Sequence, residues 1–265
     1  MYDFTYRKPS TLTEALSSLE AAEDGAFLAG GQTLIPTLKQ RLAMPSDLID
    51  LAGIAELKGI AEQDGAVVIG AMTPHAEVAG SDLVKAKIPA LARLAAGIGD
   101  AQVRNRGTLG GSIANNDPAA DYPAGLVGLG ARVKTDKREI AADDFFTDLF
   151  ETALDEGEIV TAVSFPIPEK AGYAKFPNPA SRYAIVGVMV ANGPAGLRVA
   201  VTGAGPSVFR VKAMEDALAA SFSASALDGI AVPADDLNGD LHASADYRAH
   251  LIGVMARRAV EAAGG

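Results

Sequence analysis

Two short stretches of this sequence combine residue types that can hold an anion. The first is Ala29-Gly30-Gly31-Gln32-Thr33, placed after an apolar run and before a helical pattern. The second is Thr108-Leu109-Gly110-Gly111-Ser112, inside the longer polar stretch that ends at Asp121. Glycine takes positive φ without steric cost, so a glycine pair can aim successive backbone N–H groups into one concavity. A following helix N-terminus adds partial positive charge, and Thr33, Thr108 or Ser112 adds a hydroxyl. Two such turns in one chain suit two linked phosphates, a diphosphate.

Other phosphate-binding designs are absent. Neither turn has the G-x-G-x-x-G spacing of a dinucleotide-binding βαβ unit, and no Gly-Lys-Ser/Thr occurs. Gly203-Ala204-Gly205 is followed by Pro206 and reads as a strand-to-helix turn. Asp117, just before Pro118, reads as a helix cap. Asp121 is placed to accept ribose hydroxyls from a nucleotide held by the adjoining turn. Arg104 and Arg106 either complement phosphate or form a solvated basic loop. The chain has no cysteine, which excludes disulfides, iron–sulfur clusters and a thiol nucleophile within it. His75, His242 and His250 lack zinc-site spacing and read as surface or capping residues.

The elements that must position these turns follow from periodicity. The 265 residues correspond to fewer than two domains at roughly 150 residues each. The periodicity predicts a helix from Leu12, capped by Ser10 or Thr11 with Glu14 as capping-box partner, a strand over 26–29, a helix over 33–42 and a strand over 47–51. These make a first unit, 1–53. A second unit, 54–168, has a hairpin around Asp64-Gly65, one helix over 81–97, a polar stretch over 99–121, a small helix over 122–129, and strands over 131–135 and 158–166. The segment 166–172 reads as a linker. A third unit, 169–265, holds strands over 183–190 and 197–202 and helices over 209–220 and 244–263. A net charge of −10 disfavours nucleic acid and anionic membrane surfaces as partners. With no apolar leader and no run of about 18 apolar residues, no membrane span and a cytoplasmic location are expected.

The two glycine motifs, 29–36 and 108–123, resemble the paired FAD diphosphate motifs of the molybdenum hydroxylase flavoproteins. The similarity is greatest to the FAD-binding medium subunit of the aerobic carbon monoxide dehydrogenases, and more distant to the xanthine dehydrogenase flavin domain. It extends over essentially the whole chain. It implies an α+β, PCMH-type FAD-binding fold, with two subdomains gripping FAD and a C-terminal α+β domain carrying a small antiparallel sheet.

By this resemblance Leu28, Ala29, Gly30, Gly31, Gln32, Thr33 and Leu34 line the first half of the FAD site. Thr108, Leu109, Gly110, Gly111 and Ser112 line the second, both motifs binding through backbone N–H groups. Ile98, Asp121, Val160 and Tyr183 complete it, with Tyr183 beside the isoalloxazine. No catalytic side chain and no metal ligand are expected. The implied partners are a [2Fe–2S] small subunit and a molybdopterin large subunit, assembled as a dimer of heterotrimers. The implied activity is electron transfer from the cluster subunit to an external acceptor. Three departures stand out: Ser181-Arg182 where many relatives have Gly-Asp, Ser112 where asparagine is common, and Gln32 where the carbon monoxide enzymes often have histidine. Two other readings are a self-contained FAD oxidase or dehydrogenase and a non-catalytic nucleotide-binding module.

Overall fold

Short apolar runs pair into three main sheets in the computed structural model, which describes residues 1–265. The first sheet contains β1 (Thr5–Arg7), β2 (Gly25–Leu28) and β3 (Asp47–Asp50) in the order β1-β3-β2, all parallel. Of the two candidate caps of helix α1 (Leu12–Glu20), Ser10 and Thr11, it is Thr11 that accepts from the Glu14 N–H, at 3.2 Å, while the Glu14 carboxylate accepts from the Ser10 N–H at 2.8 Å. Helix α2 (Leu34–Lys39) is shorter than its pattern suggests. Arg41 takes φ +61° and Leu42 is exposed, so the chain turns away before Leu42 can reach a core.

The second sheet is antiparallel. Its strands are β4 (Ile60–Gln63), β5 (Ala66–Gly70), β6 (Arg132–Thr135), β7 (Glu139–Ala141) and, beyond a small hairpin of β8 (Phe146–Asp148) and β9 (Glu151–Thr152), β10 (Val160–Pro166). The order is β4-β5-β10-β6-β7, with Val163 of β10 opposite both Ile69 and Val133.

Helices α3 (His75–Gly80), α4 (Asp82–Lys87), α5 (Pro89–Ala96), α6 (Ala101–Arg106), α7 (Leu109–Asn115) and α8 (Tyr122–Leu129) all lie between β5 and β6 in the chain. The single helix expected over 81–97 is therefore two. Ile88 precedes Pro89 and is pushed out of the helical region, to φ −138° and ψ 67°. The polar stretch over 99–121 also carries two helices, α6 and α7, capped by the side chains of Asp100 and Thr108.

The third sheet, β11 (Lys170–Pro177), β12 (Ala184–Gly193), β13 (Gly196–Thr202) and β14 (Phe209–Arg210), is antiparallel in chain order. The helix Ala245–Ala262 packs on β11 and β12, while α8 packs on β12 and β13. Burial on both faces explains the unbroken apolar run Ala184–Val190. The expected linker shrinks to 167–169, because β10 reaches Pro166 and β11 begins at Lys170.

The architecture is α+β, and its cores are not insulated from each other. Met72 and Ile159 complete the small core around Ile49. Met189, Ala191 and Ala200 of the third sheet join the core built on the second. No helix is long and apolar enough to cross a membrane.

Candidate functional site

Between the first and second sheets lies a cleft of about 640 Å³, within the usual range for a small-molecule or cofactor site. All the expected cofactor-binding residues line it except Leu28 and Leu109. Leu109 is fully buried in the core, and Leu28 packs beneath Gly31 instead of facing the cleft.

The first turn is built to present donors. The N–H groups of Ala29, Gly30, Gly31, Gln32, Thr33 and Leu34 have no acceptor anywhere in the chain. Gly31 has φ +75°, the left-handed conformation that folds successive amides into a concave nest. Gly30 is required for a different reason: a Cβ there would strike the carbonyl of Arg106 and the Cα of Gly107. The two motifs therefore touch, backbone to backbone.

The second turn works otherwise than expected. Gly110 and Gly111 lie in the first turn of α7 with ordinary helical φ. The Leu109 and Gly110 amides donate to the Thr73 and Ala71 carbonyls at 3.1 and 2.8 Å, and those of Gly111 and Ser112 donate back to Thr108. These four N–H groups are thus unavailable to a ligand, which corrects their assignment as anion donors. What the segment leaves free is the Thr108 amide, the Ser112 hydroxyl and the proton of the Thr108 hydroxyl, whose oxygen accepts from Gly111. Its glycines act as spacers. Gly110 sits on Ala71, and a Cβ on Gly111 would approach Ala29 Cβ to 3.1 Å.

Ile98 and Val160 supply apolar wall, and Tyr183 is 43 % exposed within the same cleft. Burial raises the Tyr183 phenol, helped by the charges of Asp117 and Asp121. Asp117 is not a helix cap; its carboxylate accepts from the Ala119 N–H at 2.9 Å, and burial pushes its carboxyl up. Arg104 is committed to the carbonyls of Ile98 and Gly99, at 2.9 and 3.0 Å, so it braces the loop before α6. Arg106 makes no ion pair and is exposed, in keeping with a solvated position.

Asp121 is not free to seek ribose hydroxyls. It is 3 % exposed, takes a 2.5 Å hydrogen bond from Tyr173 and pairs with Lys175 at 2.9 Å. Burial raises its carboxyl, while Lys175 and Tyr173 pull in the opposite sense. Lys175 also donates to the Gly97 carbonyl at 2.8 Å and the Arg182 carbonyl at 3.0 Å. It thereby ties α5, α8 and the turn carrying Tyr183 to one ammonium. Arg182 holds φ +64° in that turn, an uncommon conformation for a side chain of its size, and donates to the Gly99 carbonyl.

Tyr173 and Lys175 were not singled out from the sequence, although their i, i+2 spacing on a strand places them on one face. His75 was misjudged. It is 4 % exposed, lines the cleft, and burial and Arg104 lower it to about 4, so its imidazole is neutral at pH 7. His242 and His250 are exposed, as expected. No cluster of potential metal ligands exists.

A two-lobed α+β chain whose cleft pairs a nest of free amides with apolar wall and a tyrosine defines a binding protein for a phosphate-bearing aromatic cofactor. Residues 2–168 match the family described as the FAD binding domain in molybdopterin dehydrogenase, and the chain belongs to that family. It is 35 % identical to the carbon monoxide dehydrogenase medium chain of Hydrogenophaga pseudoflava, over 98 % of this chain and 96 % of that one. Against the nicotine 6-hydroxylase medium subunit of Paenarthrobacter nicotinovorans the identity is 34 %, over 98 % and 96 %. The fold superposes on a solved chain of carbon monoxide dehydrogenase from Oligotropha carboxidovorans with TM-score 0.90 and 34 % identity, covering 99 % of this chain and 98 % of that one.

The residues present fit FAD. An unpaired amide nest opens into a cleft of sufficient size, and glycines keep Cβ atoms out of its closest approach.

Proposed function

We propose that this chain is the FAD-binding, electron-transferring subunit of a molybdenum hydroxylase-type dehydrogenase. It would take electrons from a [2Fe–2S] subunit, reduced in turn by a molybdopterin subunit, and pass them to an external acceptor. The observation that carries this reading is the run of unpartnered amides from Ala29 to Leu34. A chain of net charge −10 holds a diphosphate there without a lysine or arginine.

Bound FAD supplies the redox chemistry, accepting one or two electrons at its ring system. The chain's residues supply placement. The amides of the first turn and the hydroxyls of Thr108 and Ser112 hold the diphosphate. Val160 and Ile98 exclude water from the apolar part of the cofactor. Tyr183 closes the cleft from the third sheet. No acid–base pair is needed for electron transfer, and the two buried carboxylates of the cleft, Asp121 and Glu158, are already paired, with Lys175 and Arg138. The curated relatives include medium chains and subunits of multi-subunit dehydrogenases, which supports a complex, here taken as a dimer of heterotrimers.

The test is anaerobic reduction of the FAD-loaded full chain. Bleaching of the flavin only when a reduced [2Fe–2S] subunit is added supports the reading. Bleaching by small-molecule substrates with no partner present would show a self-contained dehydrogenase instead. A full chain that takes up no FAD at all would leave only a different nucleotide-binding role.

A further inference from the structure

Two polar side-chain atoms beside the cleft are buried without any partner: Nδ1 of His75 and the hydroxyl of Tyr122. They belong to neighbouring rings, with centroids 5.3 Å apart and planes inclined at 49°. Both rings are almost wholly inaccessible, at 4 % and 0 %. Buried polar groups are normally hydrogen-bonded, so two orphans in contact call for an explanation.

The pair has complementary chemistry. A neutral imidazole carries one donor and one acceptor nitrogen, and a phenol carries one proton to donate. His75 lines the cleft where the two glycine motifs meet. Its backbone N–H donates to the Gly107 carbonyl at 3.0 Å, and its ring Nε2 lies against Gly107, where any Cβ would come within 2.6 Å of it. Gly107 is also the residue whose Cα excludes a side chain from Gly30. The imidazole edge therefore stands directly behind the contact between the two turns.

In this structure Nδ1 of His75 and the Tyr122 hydroxyl are not bonded to each other. We propose that His75 is a direct contact of the bound dinucleotide, donating from Nε2–H to an oxygen of its diphosphate, and that binding turns the Tyr122 hydroxyl onto Nδ1 and so selects that tautomer. The inference rests on the FAD reading above. It explains why a histidine is buried in a cradle otherwise made of backbone: a neutral donor adds a hydrogen bond without bringing a second charge into a buried site. Burial first, and Arg104 nearby second, disfavour a cationic imidazole there, which keeps the donor neutral at physiological pH. The hydroxyl of Tyr122 has no other visible use. The ring alone fills the core, and phenylalanine would fill it equally well.

The experiment uses the full 265-residue chain and FAD titrations followed by flavin fluorescence quenching, with circular dichroism confirming folding of each variant. His75→Gln keeps a donor near the Nε2 position and is expected to bind FAD within about threefold of the wild type. His75→Phe keeps the ring but not the donor, and is expected to bind about tenfold more weakly, the loss of one hydrogen bond to an anion. Tyr122→Phe is expected to weaken binding severalfold. It should also shift the imidazole ¹⁵N signals of His75, which are separable because the chain has only three histidines. Wild-type affinity in His75→Phe overturns the proposal, even if folding is intact. Loss of FAD in His75→Gln equal to that in His75→Phe overturns the donor role. Unchanged ¹⁵N signals in Tyr122→Phe overturn the role given to Tyr122. If the wild type itself binds no FAD, and Gly31→Val changes nothing, it is the FAD reading that fails and not this one alone.

Discussion

Gly30 lies directly against the backbone carbonyl of Arg106, so that the two glycine motifs, far apart in sequence, meet without a side chain between them. The requirement at Gly30 is space rather than φ, which separates its consequences from those of an ordinary turn glycine. In Gly30→Ala the turns must part, and FAD affinity should fall by tenfold or more. Gly65 provides the comparison, with φ +76° but nothing within 4 Å of a Cβ. Gly65→Ala should cost about 1–2 kcal/mol of stability through backbone strain and leave FAD binding unchanged. FAD titration and urea melts of both variants decide the matter; equal effects on FAD binding would refute the contact model.

Gly110 and Gly111 are neighbours with opposite expected behaviour. A Cβ on Gly110 would come within 2.5 Å of Ala71 Cβ and 2.9 Å of its carbonyl oxygen, in a strand end that cannot yield. Gly110→Ala should therefore lower stability by roughly 1–3 kcal/mol through overpacking. A Cβ on Gly111 meets two tight contacts, Thr108 Oγ1 at 3.0 Å and Ala29 Cβ at 3.1 Å, which a small shift relieves, and alanine favours the helix by about 1 kcal/mol over glycine. Gly111→Ala should melt near the wild type while binding FAD more weakly, because its methyl enters the space between the turns. Thermal melts with and without FAD separate the two outcomes.

The position of both motifs was legible because glycine pairs flanked by hydroxyl residues are a local signal. Their mechanics were not. The spent amides of Leu109 and Gly110 depend on the carbonyls of Thr73 and Ala71, more than thirty residues away, and no local pattern reports such partners. The same holds for Lys175, whose partners Gly97 and Asp121 lie 78 and 54 residues distant. Asp121 was found, but its carboxylate serves the junction with the third sheet. The break at Pro89 was available locally, since proline favours the first turn of a helix and expels its predecessor from one. His75 looked like a surface residue because burial of a lone histidine is set by packing, here against Tyr122 and Gly107.

Glu158 ties acid stability to the floor of the cleft. Its side chain is buried, Arg138 bonds it at 2.9 and 3.0 Å, and Thr135 and the Asp155 N–H add further bonds. Arg138 foremost holds the carboxyl down at about 2, against an ordinary 4.5. A depressed folded-state value means that this stabilisation is complete above about pH 4.5 and is lost as pH falls towards 2. Glu158→Gln should lower the urea midpoint at pH 7, and the gap from the wild type should narrow steadily between pH 4.5 and 2. A gap that is constant with pH would mean that shape, not charge, is what Glu158 contributes.

Asp121 and Lys175 form the buried hinge between the cofactor lobes and the third sheet, and their removal should be strongly non-additive. Lys175→Met leaves the Asp121 carboxylate buried with only Tyr173 as partner, which typically costs about 3–5 kcal/mol. Asp121→Asn alone strands the ammonium, though Lys175 keeps its bonds to the Gly97 and Arg182 carbonyls, so its cost should be smaller. With both charges gone neither is left unpaired, and the double variant should be less destabilised than the sum of the two. The bond from Lys175 to the Arg182 carbonyl adds a second readout. That carbonyl belongs to the turn that holds Arg182 at φ +64° and sets Tyr183 over the cleft. Lys175→Met should therefore speed amide hydrogen exchange across residues 178–183 even at temperatures where the global fold is intact. Additive energies together with unchanged exchange in that turn would show that Lys175 neutralises Asp121 without positioning Tyr183.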